Sequence, residues 1–387
     1  MSPAPAIQPV SDSVSLAARV TDFALREIVP RGDLRAHTVI PADLWQAIGD
    51  AGLARIGLPE EYGGDGGDLR SLAVAAEAMA AACGIRGVVN PWLGRQLNAR
   101  QQILLHGTEE QRQRCLPGLA AGTLTPCLAI SEPKAGAHPK YLSSTAKRDG
   151  GDFVLNGEKA YLSNGPIADF FMVLAITGTE NGRKRFSAVI VPRDTPGLEL
   201  TEGVKIDFMR PAPHCGLRLT DVRVPAANLL GQEGNAFETI SLPMRRTEDA
   251  LFAASIAGAM RHQLAALGQA IGNAAMDDDR LADLGRLAAV PDGLFAISYR
   301  AAELLDLDAQ ANAETVSAMA AAARDWAGQS QRQVRALIDA LGLVLPPMLA
   351  DETRDLEKGL GIARSAHEIR ARQRARALLP DTEEEKA

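Results

Sequence analysis

Two stretches decide the fold: Leu128-Ala-Ile-Ser-Glu-Pro-Lys-Ala-Gly136 and Leu155-Asn-Gly-Glu-Lys-Ala-Tyr-Leu-Ser-Asn-Gly165. They start roughly 30 residues apart, in a section whose character changes at Thr125. From there to residue 231, short β-like runs alternate with turns. The runs are Cys127–Ser131, Ser144–Lys147, Phe153–Leu155, Phe170–Ile176, Ser187–Val191, Leu198–Thr201 and Leu217–Val224. Asp149-Gly-Gly-Asp152, Asn156-Gly157 and Asn181-Gly182 predict turns or hairpins between them. The pattern predicts a small antiparallel barrel or sandwich over residues 124–232.

Outward from this section the period becomes helical. Residues 1–123 carry apolar residues at three- and four-residue spacings, as in Val14–Val29 and Pro41–Ala54. An alanine-rich helix is expected over Leu69–Cys83, after the turn Gly63-Gly-Asp-Gly-Gly67, which cannot hold a helix. Thr108 is an expected N-cap, with Glu109 and Glu110 in the first turn behind it. Residues 233–387 return to Ala, Leu, Arg and Glu, with Pro291 and Pro346-Pro347 expected as breaks.

Composition narrows the function. The chain has 387 residues, 46% hydrophobic and 23% charged, with net charge −7. A soluble globular protein with a sizeable core follows. No long Lys/Arg run points to nucleic acid or an anionic membrane. Arg370-Ala-Arg-Gln-Arg-Ala-Arg376 reads as a basic helix face before an acidic tail. Cys83, Cys115, Cys127 and Cys215 are scattered, without a C-x-x-C pair, so neither a disulfide framework nor a metal site is expected. The start, Met-Ser-Pro-Ala-Pro-Ala-Ile, lacks a signal-peptide pattern, and no apolar run is long enough to span a bilayer. A cytoplasmic setting is the expectation.

The two opening stretches resemble the paired flavin-contacting segments of the acyl-CoA dehydrogenase family. There a strand ends in Thr/Ser-Glu-Pro-x-Ala-Gly, and a hairpin reads Leu-Asn-Gly-x-Lys-x, an aromatic, Ile-Thr-Asn-Gly. Leu58-Pro-Glu-Glu-Tyr-Gly-Gly64 resembles the family's turn between early helices. The resemblance implies an α+β chain: an N-terminal helical domain, a central antiparallel β-domain and a C-terminal helical bundle. It also implies FAD, an acyl-CoA substrate, an electron-transfer flavoprotein as electron acceptor and a homo- or hetero-oligomer with a related subunit. Family members hold FAD without a Rossmann G-x-G-x-x-G, so the lack of that fingerprint is not informative.

By the same resemblance, Leu128, Ala129, Ile130 and Ser131 on one segment, and Tyr161, Leu162 and Ser163 on the other, would line the flavin ring. Ser131 and Ser163 would supply hydroxyls as donor and acceptor, and Tyr161 a flat aromatic face. The alternative for these residues is ordinary strand ends and turns. Ala137 and Arg246 stand at substrate positions, Ala137 without the family's hydroxyl. The family's late base position falls on Ala363 or Arg364, neither of which can take a proton. An earlier helix, in some members, carries the base in Leu-Asp-x-Glu-Arg. That position is Glu248 here, with Phe252 and Ser255 on the same helical face. The alternative for Glu248 is a solvated carboxylate in an exposed first turn. The family's flanking Asp and Arg become Arg246 and Asp249, which could keep a local ion pair.

Two family motifs are missing. No Arg-x-x-Phe-Gly, whose Arg holds the FAD pyrophosphate, lies near Ala270–Asp279, where three aspartates stand instead. No Gln-x-x-Gly-Gly-x-Gly lies near Ile338–Pro346. The leading expectation is FAD-dependent α,β-dehydrogenation of an acyl-CoA thioester. Alternatives are a silent or half-equipped subunit of a hetero-oligomeric acyl-CoA dehydrogenase, and a flavin-dependent monooxygenase of the same fold. His214 and Cys215 invite a nucleophile reading, but a strand-edge position is expected for both.

Overall fold

The computed structural model describes residues 13–272 and 276–379, apart from the side chain of Ser365. The first helices are α1 (Ser13–Phe23), α2 (Ala42–Asp50), α3 (Leu69–Cys83), α4 (Arg86–Leu97) and α5 (Glu109–Ala120). α3 starts where the glycine turn ends: Asp68 accepts from Ser71 N, and Ser71 Oγ accepts from Asp68 N, a reciprocal cap. Thr108 and Gln111 cap α5 in the same way.

The strands are β1 (Pro126–Ala129), β2 (Thr145–Asp149), β3 (Asp152–Ser163), β4 (Phe170–Glu180), β5 (Arg183–Pro192), β6 (Leu198–Thr201), β7 (His214–Pro225) and β8 (Leu229–Leu230). They form one sheet in the order β6-β7-β3-β2-β4-β5-β8, with β1 beside β4. Most pairings are antiparallel, but β1 runs parallel to β4, and β2 meets β4 in parallel at Thr145 and Ile176. Asp149-Gly-Gly-Asp152 and Asn181-Gly182 make hairpin turns as expected.

Asn156-Gly157 does not make a turn. It lies inside β3 at a bulge, where the pairing with β7 slips. The Asn156 side chain bonds both Asp221 N and Asp221 Oδ1 across the sheet, which ties β3 to β7 at the bulge. Gly157 is required there: a Cβ would sit 2.3 Å from Ser144 Oγ.

The last helices are α6 (Leu242–Ile271), α7 (Asp278–Asp308), α8 (Ala313–Ala340), α9 (Pro347–Gly361) and α10 (Arg364–Arg376). Pro291 does not break a helix. It is buried within α7, whose packing against α3, α6 and α8 holds the helix together through the missing hydrogen bond. Pro347 instead takes the first turn of α9, where a missing N–H costs nothing. One apolar core runs from Leu16 and Val20, through α3 and α4, to Met244, Leu294 and Leu356. N- and C-terminal helices therefore share a core, while the strands fill two others, one of them together with α5. Among the described residues, no helix is long and apolar enough to cross a membrane.

Candidate active site

The two opening stretches meet in space. Beyond β1, Ser131 O accepts from Ala160 N at 2.8 Å, which lays the first stretch along β3. A buried ion pair locks them: Lys159 Nζ lies 3.0 Å from Glu132 Oε1 and donates to Ile130 O. Glu132 also accepts from Ser143 N, Ser143 Oγ and Ser144 N. Burial would raise the Glu132 carboxyl, but the Lys159 charge and the Ser144 hydrogen bonds outweigh it and hold it at about 2. Burial brings Lys159 down to about 8, against the pull of Glu132, so both are charged at neutral pH.

Just past Lys159 the register with β7 shifts again. Tyr161 takes a left-handed backbone, φ 61°, and its ring stands 48% exposed. A bulky residue in that conformation is strained, and here the strain turns an aromatic face outward. Ser131 is half-buried and its hydroxyl makes no hydrogen bond among the described residues; Leu162 and Ala129 face the sheet interior.

Ser163 departs from expectation. Its hydroxyl lies 3.1 Å from His214 Nε2, and His214 Nδ1 lies 3.1 Å from Ala212 O. A carbonyl only accepts, so Nδ1 carries the ring proton, and the neutral ring accepts at Nε2. Burial lowers the His214 pKa and keeps it neutral. Ser163 therefore donates its hydrogen bond to His214 and offers a ligand only lone pairs. His214 starts β7, an inner strand between β6 and β3 rather than a sheet edge, and Cys215 is buried with its thiol pushed up to about 11 by burial.

Glu248 lies one and a half turns into α6, not in an exposed first turn. It is half-buried, and it makes no hydrogen bond or ion pair among the described residues. Burial pushes its carboxyl up to about 7, with Arg245 opposing and Asp249 reinforcing. Two turns on, buried Ser255 donates to Asn90 Oδ1 at 2.7 Å and accepts from Arg86 Nε at 3.2 Å. The next residue of α4, Pro91, accepts from Asn164 Nδ2 at 2.8 Å through its carbonyl. α4 therefore docks both the Glu248 face of α6 and the end of the Tyr161–Ser163 segment. No bond links Glu248 itself to either flavin-like segment.

The expected Arg246–Asp249 pair does not form. Asp249 instead takes Arg245, 3.1 Å away at i−4, and Arg370 from α10 at 3.1 Å. Arg246 Nε is buried without a partner. Ala137 is exposed in the loop beyond Gly136. No carboxylate stands at the α9–α10 junction: Ala363 has φ 54°, and Arg364 pairs with Glu368. In Ala270–Asp279, residues 273–275 lie outside the described residues; beyond them Asp277 caps α7 and pairs with Arg280.

Sequence reasoning missed Glu132, Lys159, Arg86, Asn90 and the Ser163–His214 contact. Lys159 left a trace, since it shares the inward parity of Phe153 and Leu155 on β3. Arg86 and Asn90 left none, being ordinary polar residues until α6 packs on them.

Comparison with known proteins agrees with this geometry. Residues 11–123 match the model of the acyl-CoA dehydrogenase N-terminal domain, and residues 127–222 match that of the middle domain; together they span more than half of the chain. "Probable acyl-CoA dehydrogenase YngJ" of Bacillus subtilis is 38% identical over 221 residues, covering 57% of this chain and 58% of that protein. The chain thus matches under two thirds of that relative's length. A solved putative acyl-CoA dehydrogenase from Mycobacterium smegmatis superposes with TM-score 0.79 at 26% identity, covering 92% of this chain and 94% of that one. A glutaryl-CoA dehydrogenase from the same organism, solved with FADH2, shares the fold at TM-score 0.76 and 23% identity, covering 91% of each chain. The chain belongs to the acyl-CoA dehydrogenase family.

Proposed function

We propose that this chain oxidises the Cα–Cβ bond of an acyl-CoA thioester, with FAD as cofactor and an electron-transfer flavoprotein as acceptor. The observation that carries the proposal is Glu248: a carboxyl raised to about 7, with no partner of its own. It lies on a helix face tied through α4 to the Tyr161–Ser163 segment. Such a group is a base near neutral pH rather than a structural anion.

The residues fit the ring end of FAD. Tyr161 offers an exposed aromatic face, Ser131 an uncommitted hydroxyl, and Asn164 Oδ1 is a buried acceptor without a partner beside Ser163. The pyrophosphate end fits less well: acidic residues stand at the matched place, so the cation that family members use there must come from elsewhere, in an oligomer from a neighbouring subunit. Bound FAD would accept the β-hydrogen as hydride. The chain's own part is to take the α-proton on a Glu248 oxygen, with Arg246 and the loop at Ala137 beside the substrate.

Glu248→Gln keeps shape and hydrogen bonding but cannot accept the proton. Flavin bleaching by acyl-CoA under anaerobic conditions should slow by roughly 10²–10⁴-fold, with FAD and thioester affinity little changed. Bleaching at the wild-type rate would remove Glu248 from the reaction.

A further inference from the structure

α10 is seated without a core. None of its side chains is buried among the described residues, and Ile369 stands exposed. Its joint with α9 is two residues, Ile362 and Ala363, and Ala363 is left-handed with φ 54°. That backbone is disfavoured for a residue with a Cβ, so the bend must be held by contacts beyond itself. Arg324 of α8 holds the joint through the carbonyls of Leu360 and Ile362. Past the joint, among the described residues, α10 reaches another helix through one ion pair, Arg370 to Asp249 of α6 at 3.1 Å. Arg370 is 40% exposed, so solvent keeps the pair weak enough to open and close.

Asp249 is the next residue to Glu248, and its charge disfavours the ionised form of that carboxyl. Arg245 favours it. Arg245 is also the other partner of Asp249, 3.1 Å away at i−4. One cation therefore faces two carboxylates unless α10 brings a second. The remaining charged or titratable neighbours of Asp249 are Arg324 of α8 and His367 of α10. Arg324 is turned to the joint carbonyls. Burial, then the Arg324 charge, holds His367 well below its usual pKa, so it is neutral and adds no cation.

We infer that Arg370 is a positioning residue for the base: α10 closes as a latch on α6, and its guanidinium takes up the charge of Asp249, leaving Arg245 to face Glu248. With α10 docked, Glu248 can give up its proton near neutral pH. With α10 swung away, Asp249 draws Arg245 to itself, and the uncompensated anion beside Glu248 keeps that carboxyl protonated. A protonated Glu248 cannot take an α-proton, so docking of the C-terminal helix becomes a condition for the reaction. The inference rests on Glu248 as the base of the proposed function. It concerns how that base is switched, which the ion pairs around Asp249 decide.

The test titrates Glu248 in the full chain. The infrared carboxyl band present in wild type and missing from Glu248→Gln reports its protonation as pH rises. Arg370→Gln should move the midpoint up by about half a pH unit or more, while Arg370→Lys, which keeps the charge, should stay near wild type. Asp249→Asn should move it down. Adding Arg370→Gln to Asp249→Asn should change nothing further, because Arg370 acts through Asp249. The pH profile of flavin bleaching should move with each midpoint. No shift in Arg370→Gln, an equal shift in Arg370→Lys, or the same shift with and without Asp249 overturns the inference. Arg370 lies on an element with no buried side chain, so its variants should fold; if Asp249→Asn does not, the contrast between Arg370→Gln and Arg370→Lys decides. The two readings fail separately. Bleaching that ignores Glu248→Gln removes the base, whereas a Glu248 midpoint that ignores Arg370→Gln removes the latch alone.

Discussion

At the scale of single residues, protonation decides what the site does. In the proposed reaction Glu248 must be ionised to accept a proton, and burial pushes its pKa up to about 7. The rate of flavin bleaching should therefore climb about tenfold per pH unit below 7 and level off above it, as rapid-mixing measurements across pH would show. A rate that is flat through this range would mean that another group takes the proton. The stability sign follows: the folded pKa is raised above the usual 4.5, so the folded state gains from the protonated form, and that gain is lost as pH rises through about 7. Ser163 offers a second test. While His214 accepts its hydrogen bond, removing the hydroxyl costs a flavin little. Ser163→Ala should weaken FAD binding by only a small factor in the wild type, but by roughly 2–10-fold once His214→Ala has freed the proton. Additive effects in a double-mutant cycle would show that the two side chains do not communicate.

Among elements, the Glu132–Lys159 pair is what keeps the first stretch on β3. Lys159→Met would leave a buried anion and should cost about 3–5 kcal/mol in denaturant unfolding. Glu132→Gln in the same chain should restore part of it. Glu132 is held near 2, so its contribution is full above about pH 4.5 and is lost as pH falls through about 2. A Lys159→Met variant as stable as wild type would make the pair incidental. Local rules made some of these elements legible. Leu69–Cys83 was readable because a glycine turn precedes it; the Asp68 cap and left-handed Gly84 fix its ends in the structure. Asn156-Gly157 misled because its turn chemistry is overruled by Asp221, 65 positions on. Pro291 misled because packing on α6 outweighs a lost hydrogen bond. Of the proposed site, Ser131, Tyr161 and Ser163 stand out in the sequence as motif positions. The commitment of Ser163's hydroxyl to His214 does not, because its acceptor lies 51 residues away.

The whole molecule is held by contacts between its two ends. Gly258 on α6 lies so close to α3 that a Cβ would meet Glu77 O at 2.2 Å. Backbone cannot step aside, so Gly258→Ala should cost roughly 1–3 kcal/mol, seen as a lower denaturant midpoint. An unchanged midpoint would mean that the α3–α6 approach is looser than it looks. This joint has a consequence for how the chain is made. α3 ends at Cys83 and its partner α6 begins at Leu242, some 160 residues later. At about 5–20 residues per second, a ribosome needs roughly 10–30 s to cross that gap. For that time the side of α3 that α6 covers stays open, with only α1 and α4 packed on its other sides. The β-strands can emerge and pair during the wait, because their partners are near in sequence. The first helices must be sheltered or stay soluble until α6 has left the exit tunnel.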